Sequence, residues 1–136
     1  MDIKEAVKEV ALRFEYKEDS GFIDTWSVMR EKRGKMKGDC DDFAVTAVWY
    51  ACDRNIFKFV WYVLILHRYR FYHCKTYEGE GHLIGYAQSK WFDNWTLEAL
   101  DKDQFLVRTK HNVRYFYVLP FMWLQLLLGM LTRYVD

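Results

Sequence analysis

Proline is almost missing from this chain: Pro120 is the single one among 136 residues. With no Pro- or Ser-rich tract, no repeat and no low-complexity segment, nothing marks a linker. One domain spanning residues 1–136 is expected. Charge of one sign is missing too, since 20 Lys and Arg face 19 Asp and Glu. A net charge of +1 excludes a global pull on nucleic acid or anionic membrane, leaving only local patches. Cysteine is scarce: Cys40, Cys52 and Cys74 cannot all pair within one chain. The opening Met1-Asp2-Ile3-Lys4-Glu5-Ala6 is charged where a Sec signal needs its apolar run. Reduced thiols in a cytoplasm are therefore expected, that of a bacterium or of a phage host. What is abundant is apolar and aromatic, 51% and 19% of residues, which excludes disorder.

Apolar spacing lays out the elements. Ile3, Ala6, Val7, Val10, Ala11 and Phe14 form one helical face against Lys4, Glu5, Lys8, Glu9 and Arg13. Ser20-Gly21 breaks that helix, and Asp24 or Thr25 caps a short second one containing Trp26. Arg30 to Gly38 reads as a basic, glycine-punctuated loop, either plainly solvated or a positive rim beside a site. Asp41 to Cys52 has no polar face after its first turn and reads as a buried helix. Phe57 to His67, rich in β-branched and aromatic residues, reads as a central strand. His82 to Ala87 alternates, and Gln88-Ser89-Lys90 connects it tightly to Trp91-Phe92-Asp93 as an antiparallel hairpin. Thr96 to Gln104 reads as a short helix and Asn112 to Leu119 as a strand. The uncharged run from Tyr115 to Leu131 is interrupted by Pro120 and Gln125. Its second part, Phe121 to Leu131, reads as a core or partner-docking helix rather than a membrane span.

Three residues carry a chemical pattern. Cys40 follows Gly38-Asp39 and opens the buried helix, where unpaired N–H groups favour a thiolate. His82 opens one strand and Asp93 ends the next. Directly opposed residues of a hairpin have Cβ atoms about 4.5–5.5 Å apart, close enough for a carboxylate to fix an imidazole tautomer. A nucleophile, a base and an orienter follow. Asp39, Asp41 and Asp42 oppose a thiolate unless they point away from sulfur. Alone, His82 and Asp93 would be ordinary strand-edge and turn residues; the spacing of the set distinguishes them.

Gly38-Asp39-Cys40-Asp41-Asp42-Phe43-Ala44, then Gly81-His82, then Phe92-Asp93-Asn94, resembles the bacterial transglutaminase-like cysteine proteinases within the papain-like superfamily. The likeness runs from about Asp24 to Trp95. It implies an α+β, papain-like or transglutaminase-like core: a Cys-bearing helix packed on a small antiparallel sheet, flanked by N- and C-terminal helices. It implies Cys40 as nucleophile, His82 as base, Asp93 as orienter and Trp26 near the oxyanion or substrate. The activity implied is peptide or amide hydrolysis, or transamidation, of a protein or peptide substrate, with no cofactor and no metal. The short chain and the apolar C-terminal segment depart from the family pattern.

Other readings carry less. A metal site built from Cys40, His73, Cys74 and His82 lacks any C-x-x-C or H-x-x-x-H spacing. Cys52 reads as a small buried hydrophobe, and His67 and His111 as strand-end and loop residues. Arg68-Tyr69-Arg70-Phe71-Tyr72-His73 resembles a single-stranded nucleic-acid surface, but an exposed strand gives the same pattern. The main rival is an interaction module on the same fold with an idle triad, docking or self-associating through Phe121 to Leu131.

Overall fold

The computed structural model describes residues 1–17, 28–79, 81–116 and 124, the last five before 117 by backbone alone. Trp26, the start of the second helix expected from Asp24 or Thr25 and, Leu124 apart, the apolar C-terminal segment lie outside them; Val28 and Met29, which that helix was expected to include, are not helical.

Helix α1, Ile3–Arg13, starts at Asp2, whose carboxylate accepts the Lys4 N–H, and buries Ile3, Ala6, Val7 and Val10, the face read from the spacing. Phe14 leaves the helix to open strand β1, Phe14–Tyr16. The basic Arg30–Gly38 stretch is a hairpin rather than a loop: β2, Glu31–Lys32, and β3, Lys35–Gly38, turn at Arg33-Gly34. Both turn residues have positive φ, the geometry that suits a tight hairpin. Strand β3 pairs parallel with β1 and antiparallel with β2. Arg13 and Lys35 meet Glu31 and Glu15, so part of the positive charge is already partnered.

Helix α2, Cys40–Ala51, is nearly all buried, as its lack of a polar face requires. Its Phe43, Ala44, Ala47 and Val48 share a core with α1 and with Phe71, Leu83, Ala87 and Phe92 of the larger sheet.

Phe57 to His67 is not a strand. It forms α3, Ile56–Phe59, running into a π-helical stretch, Val60–Ile65. Phe59, Val63 and Leu64 are buried while Phe57, Trp61 and Ile65 are exposed, a helical rather than an alternating period. Apolar residues on every face leave period unreadable, and local composition misled.

The second sheet is antiparallel in the order β6-β5-β4-β7, from β4, Arg70–Lys75, β5, Gly81–Ala87, β6, Lys90–Phe92, and β7, Asn112–Phe116. The expected β5–β6 hairpin forms, with Ala87 opposite Lys90 and Gln88 and Ser89 both at positive φ. A Cβ at Gly85 would lie 2.4 Å from the Phe92 ring, so glycine lets Phe92 cross the sheet into the α2 core. Leu83 and Ala87 face α2, while Ile84 joins Cys74, Trp91 and Phe105 in a second core.

Helix α4, Lys102–Thr109, begins later than the Thr96–Gln104 reading. Thr96 is committed to Asp93 through its N–H and hydroxyl, Leu97 has φ 54°, and Leu100 exchanges backbone hydrogen bonds with Trp91. These contacts hold residues 93–100 as a loop against β6. Mixed α+β architecture, with a Cys-bearing helix on an antiparallel sheet, is therefore observed. Among the described residues no helix is long and apolar enough to cross a membrane.

Candidate active site

The site is assembled from the head of α2 and from one end of the larger sheet. At the head of α2, Asp39 caps the helix by accepting the Asp42 N–H at 3.1 Å, and Asp42 accepts the Asp39 N–H at 3.4 Å, a reciprocal capping box. Two of the acids beside the thiol are thus committed to the backbone. Gly38 is required just before them, since a Cβ there would sit 2.7 Å from both Asp42 Cβ and Met29 Sδ. The chain passes so tightly that Cys40 is fixed as the first helical residue.

Asp41 behaves differently. It is buried, and its Oδ1 lies 3.5 Å from Cys40 Sγ, accepting the thiol proton. Burial is the main influence pushing the thiol pKa up, followed by the Asp41 charge; the Leu83 backbone N–H opposes them and Asp39 adds to the rise. The resting group is therefore a thiol, not the depressed thiolate that a helix N-terminus alone would give.

His82, at the start of β5, donates from Nε2 to Asp93 Oδ2 at 2.8 Å. Asp93 follows β6 and is wholly buried. Its Oδ1 accepts the backbone N–H groups of Trp95 at 3.0 Å and Thr96 at 2.8 Å. A second imidazole completes its surroundings: His111 Nε2 lies 2.7 Å from the same Oδ2. Burial alone would raise the Asp93 pKa, but the hydrogen bonds from His111 and His82, the charge of His82 and the Thr96 N–H together hold it well below the usual carboxylate range. An ionised carboxylate only accepts, so both rings carry their proton on Nε2. In a neutral ring Nδ1 is then the basic nitrogen.

His111 was read as a loop residue and is the functional candidate that sequence reasoning missed. It sits between α4 and β7, its N–H donating to Thr109 Oγ1 at 3.3 Å while that hydroxyl donates to the Phe105 carbonyl at 2.8 Å. Lys110, at φ 58°, turns the chain there. The His111 ring packs among His82, Trp95 and Phe105, with centroids 4.7, 4.9 and 5.8 Å away. Its Nδ1 is buried with no hydrogen-bond partner among the described residues. No motif spacing announced it, because its relation to Asp93 runs through the sheet.

Two of the three expected residues, His82 and Asp93, are brought into direct contact. Helix α2 packs on β5, the strand that carries His82, but Cys40 Sγ has no hydrogen bond to either imidazole among the described residues. The Cys40–His73–Cys74–His82 set is not assembled as a metal site: the histidine and aspartate atoms that converge are those of His82, Asp93 and His111. Cys74 lies opposite His82 across β4–β5, but burial pushes its thiol, like that of Cys52, up to about 12. Comparison with protein-family models, curated proteins and solved structures finds no match.

Proposed function

We propose that the protein is a thiol-dependent acyl-transfer enzyme, a cysteine peptidase or amidase of transglutaminase-like type, using Cys40, His82 and Asp93. The observation that carries this reading is the His82–Asp93 contact at 2.8 Å. It commits Nε2 and leaves Nδ1 as the base, on β5, the strand against which the Cys-bearing helix α2 packs. In the first step Sγ leaves Asp41, passes its proton to His82 Nδ1 and attacks the carbonyl carbon. Backbone N–H groups at the start of α2 receive the oxyanion. The imidazolium then protonates the departing amine as the C–N bond breaks, leaving a thioester on Cys40. Water or a second amine, deprotonated by His82, releases the acyl group and restores the thiol. Because burial and Asp41 keep the thiol protonated at rest, transfer to His82 accompanies the attack rather than preceding it. Trp95, partly exposed and 5.6 Å from the His82 ring, supplies an aromatic wall.

Site-resolved alkylation tests this. Iodoacetamide followed by peptide mass spectrometry should modify Cys40 ahead of Cys52 and Cys74, which are almost wholly buried. The raised Cys40 pKa puts its rate on a slope that climbs through neutral pH without an acidic plateau. Cys40 labelling no faster than Cys74 would remove the enzyme reading. The second reading is then an interaction module. The outward row of Phe57, Trp61 and Ile65 favours it, a larger apolar exposure than an isolated surface side chain gives.

A further inference from the structure

Asp93 Oδ2 receives two imidazole Nε2 atoms, so three metal-ligating atoms from three separate segments converge at one point. All three side chains are buried, and their ligating atoms lie within 4.8 Å of one another. The types are those of a two-histidine, one-carboxylate centre, which suits zinc, iron(II) and related divalent ions. The geometry is close to what such an ion needs. Ligands on a tetrahedral zinc at bond lengths near 2.0–2.2 Å stand about 3.3 Å apart. The present Nε2–Oδ2 separations of 2.8 and 2.7 Å must lengthen by about half an ångström, and the two imidazole nitrogens, up to 4.8 Å apart, must close by about 1.5 Å, as a rotation of the rings about Asp93 would do.

The surroundings supply what ligands need behind them. Asp93 is oriented through its other oxygen by the Trp95 and Thr96 N–H groups, the support that ligating carboxylates normally have. His111 is harder to explain as a plain hydrogen-bonding residue. Its ring is completely buried, yet one nitrogen satisfies Asp93 and the other has no partner among the described residues. The ring is aimed by Nε2 alone.

We infer that His82 Nε2, Asp93 Oδ2 and His111 Nε2 form a binding site for a divalent transition-metal ion, zinc above all, that takes no thiolate ligand but shares His82 and Asp93 with the proposed triad. Binding moves the proton of each neutral ring from Nε2 to Nδ1, so no proton is lost from the rings and the carboxylate supplies one negative charge. On His82 that places the proton on the nitrogen that acylation needs bare. Resting on the acyl-transfer reading, the consequence is that metal occupancy and base catalysis exclude each other, and zinc holds the enzyme off. A fourth position would be left to water or to a substrate group; Trp95, exposed at the surface, stands against both rings.

The test separates metal binding from catalysis. Titration of the metal-free protein with Zn²⁺ alone, against a chromophoric chelator, should give one ion per chain. Cys40→Ala should bind it equally, and His111→Ala should weaken it by at least about 100-fold. His111→Gln, which keeps a donor for Asp93 but offers no imidazole, guards against a His111→Ala chain that fails to fold; it too should lose the ion. Co²⁺ in place of zinc should show ligand-field bands without a sulfur charge-transfer band. No stoichiometric binding by the wild type, undiminished binding in His111→Gln, or binding lost in Cys40→Ala would each overturn the site. They would show His111 to be a hydrogen-bonding clamp only, or the ion to belong to the thiol. Bound zinc that leaves Cys40 acylation unchanged would overturn the switch and keep the site.

Discussion

Replacing Asp93 by alanine should destabilise the fold by about 3–5 kcal/mol, the scale of removing one partner of a buried ionic group. Four donors lose their acceptor at once: the imidazoles of His82 and His111 and the backbone N–H groups of Trp95 and Thr96. Each buried orphan costs about 1–3 kcal/mol, and partial relaxation keeps the total below their sum. Against a typical stability of about 5–15 kcal/mol, this is a large fraction. Asparagine should rescue little, because in either orientation its NH₂ would face two N–H donors, the imidazoles or the Trp95 and Thr96 backbone. Urea denaturation at pH 7 checks the magnitude, and a loss under about 1 kcal/mol, the range of ordinary surface changes, would contradict it. The pH dependence has a definite sign. A carboxylate whose folded pKa lies below its unfolded value of about 3.9 binds fewer protons in the native state. Its contribution is fully present above that value and is lost as pH falls from there through the lowered folded pKa. Asp93→Ala should therefore be less stable at pH 7, with a flatter decline of stability below pH 4.

The second large effect falls on chemistry. Cys40→Ala should reduce turnover of a p-nitrophenyl ester, a generic acyl donor, by about 10⁴-fold or more, as loss of a covalent nucleophile does. The same substitution should move the urea midpoint little, since it removes a single sulfur atom whose contact with Asp41 is a long one at 3.5 Å. Activity and stability thus separate at Cys40 and move together at Asp93. An unchanged ester rate in Cys40→Ala would assign the turnover to another group and remove the nucleophile from the account.

Local signals made much of this legible in the sequence. The apolar face of α1, the glycine-led Cys40 at a helix start and the hairpin joining His82 to Asp93 each depend on residues a few positions apart. The imidazole does meet the carboxylate, but not as a directly opposed pair: Phe92 pairs with Gly85, so Asp93 falls two residues out of register with His82 and reaches it diagonally. Other features depend on tertiary context. Phe57 to His67 carries apolar residues all round, so no period separated strand from helix, and packing of Phe59, Val63 and Leu64 decided for helix. The helix expected from Thr96 gave way because Asp93 needed Thr96 for its turn. His111 stands 18 positions beyond Asp93, and only the placement of β7 beside β4 brings the loop before it to the site. The acids around Cys40 were the open tension in the sequence. The structure divides them: Asp39 and Asp42 serve the cap, whereas Asp41 stays on the sulfur.

Whether His82 serves Cys40 is the central claim, and pre-steady-state acylation tests it most directly. Excess p-nitrophenyl acetate is mixed with the protein, and intact mass, with peptide mapping, follows acetylation of Cys40. The account predicts that the wild type acylates at Cys40 and that His82→Ala does so about 10²–10⁴-fold more slowly, the usual contribution of a positioned base. Equal acylation rates in the two proteins would contradict it.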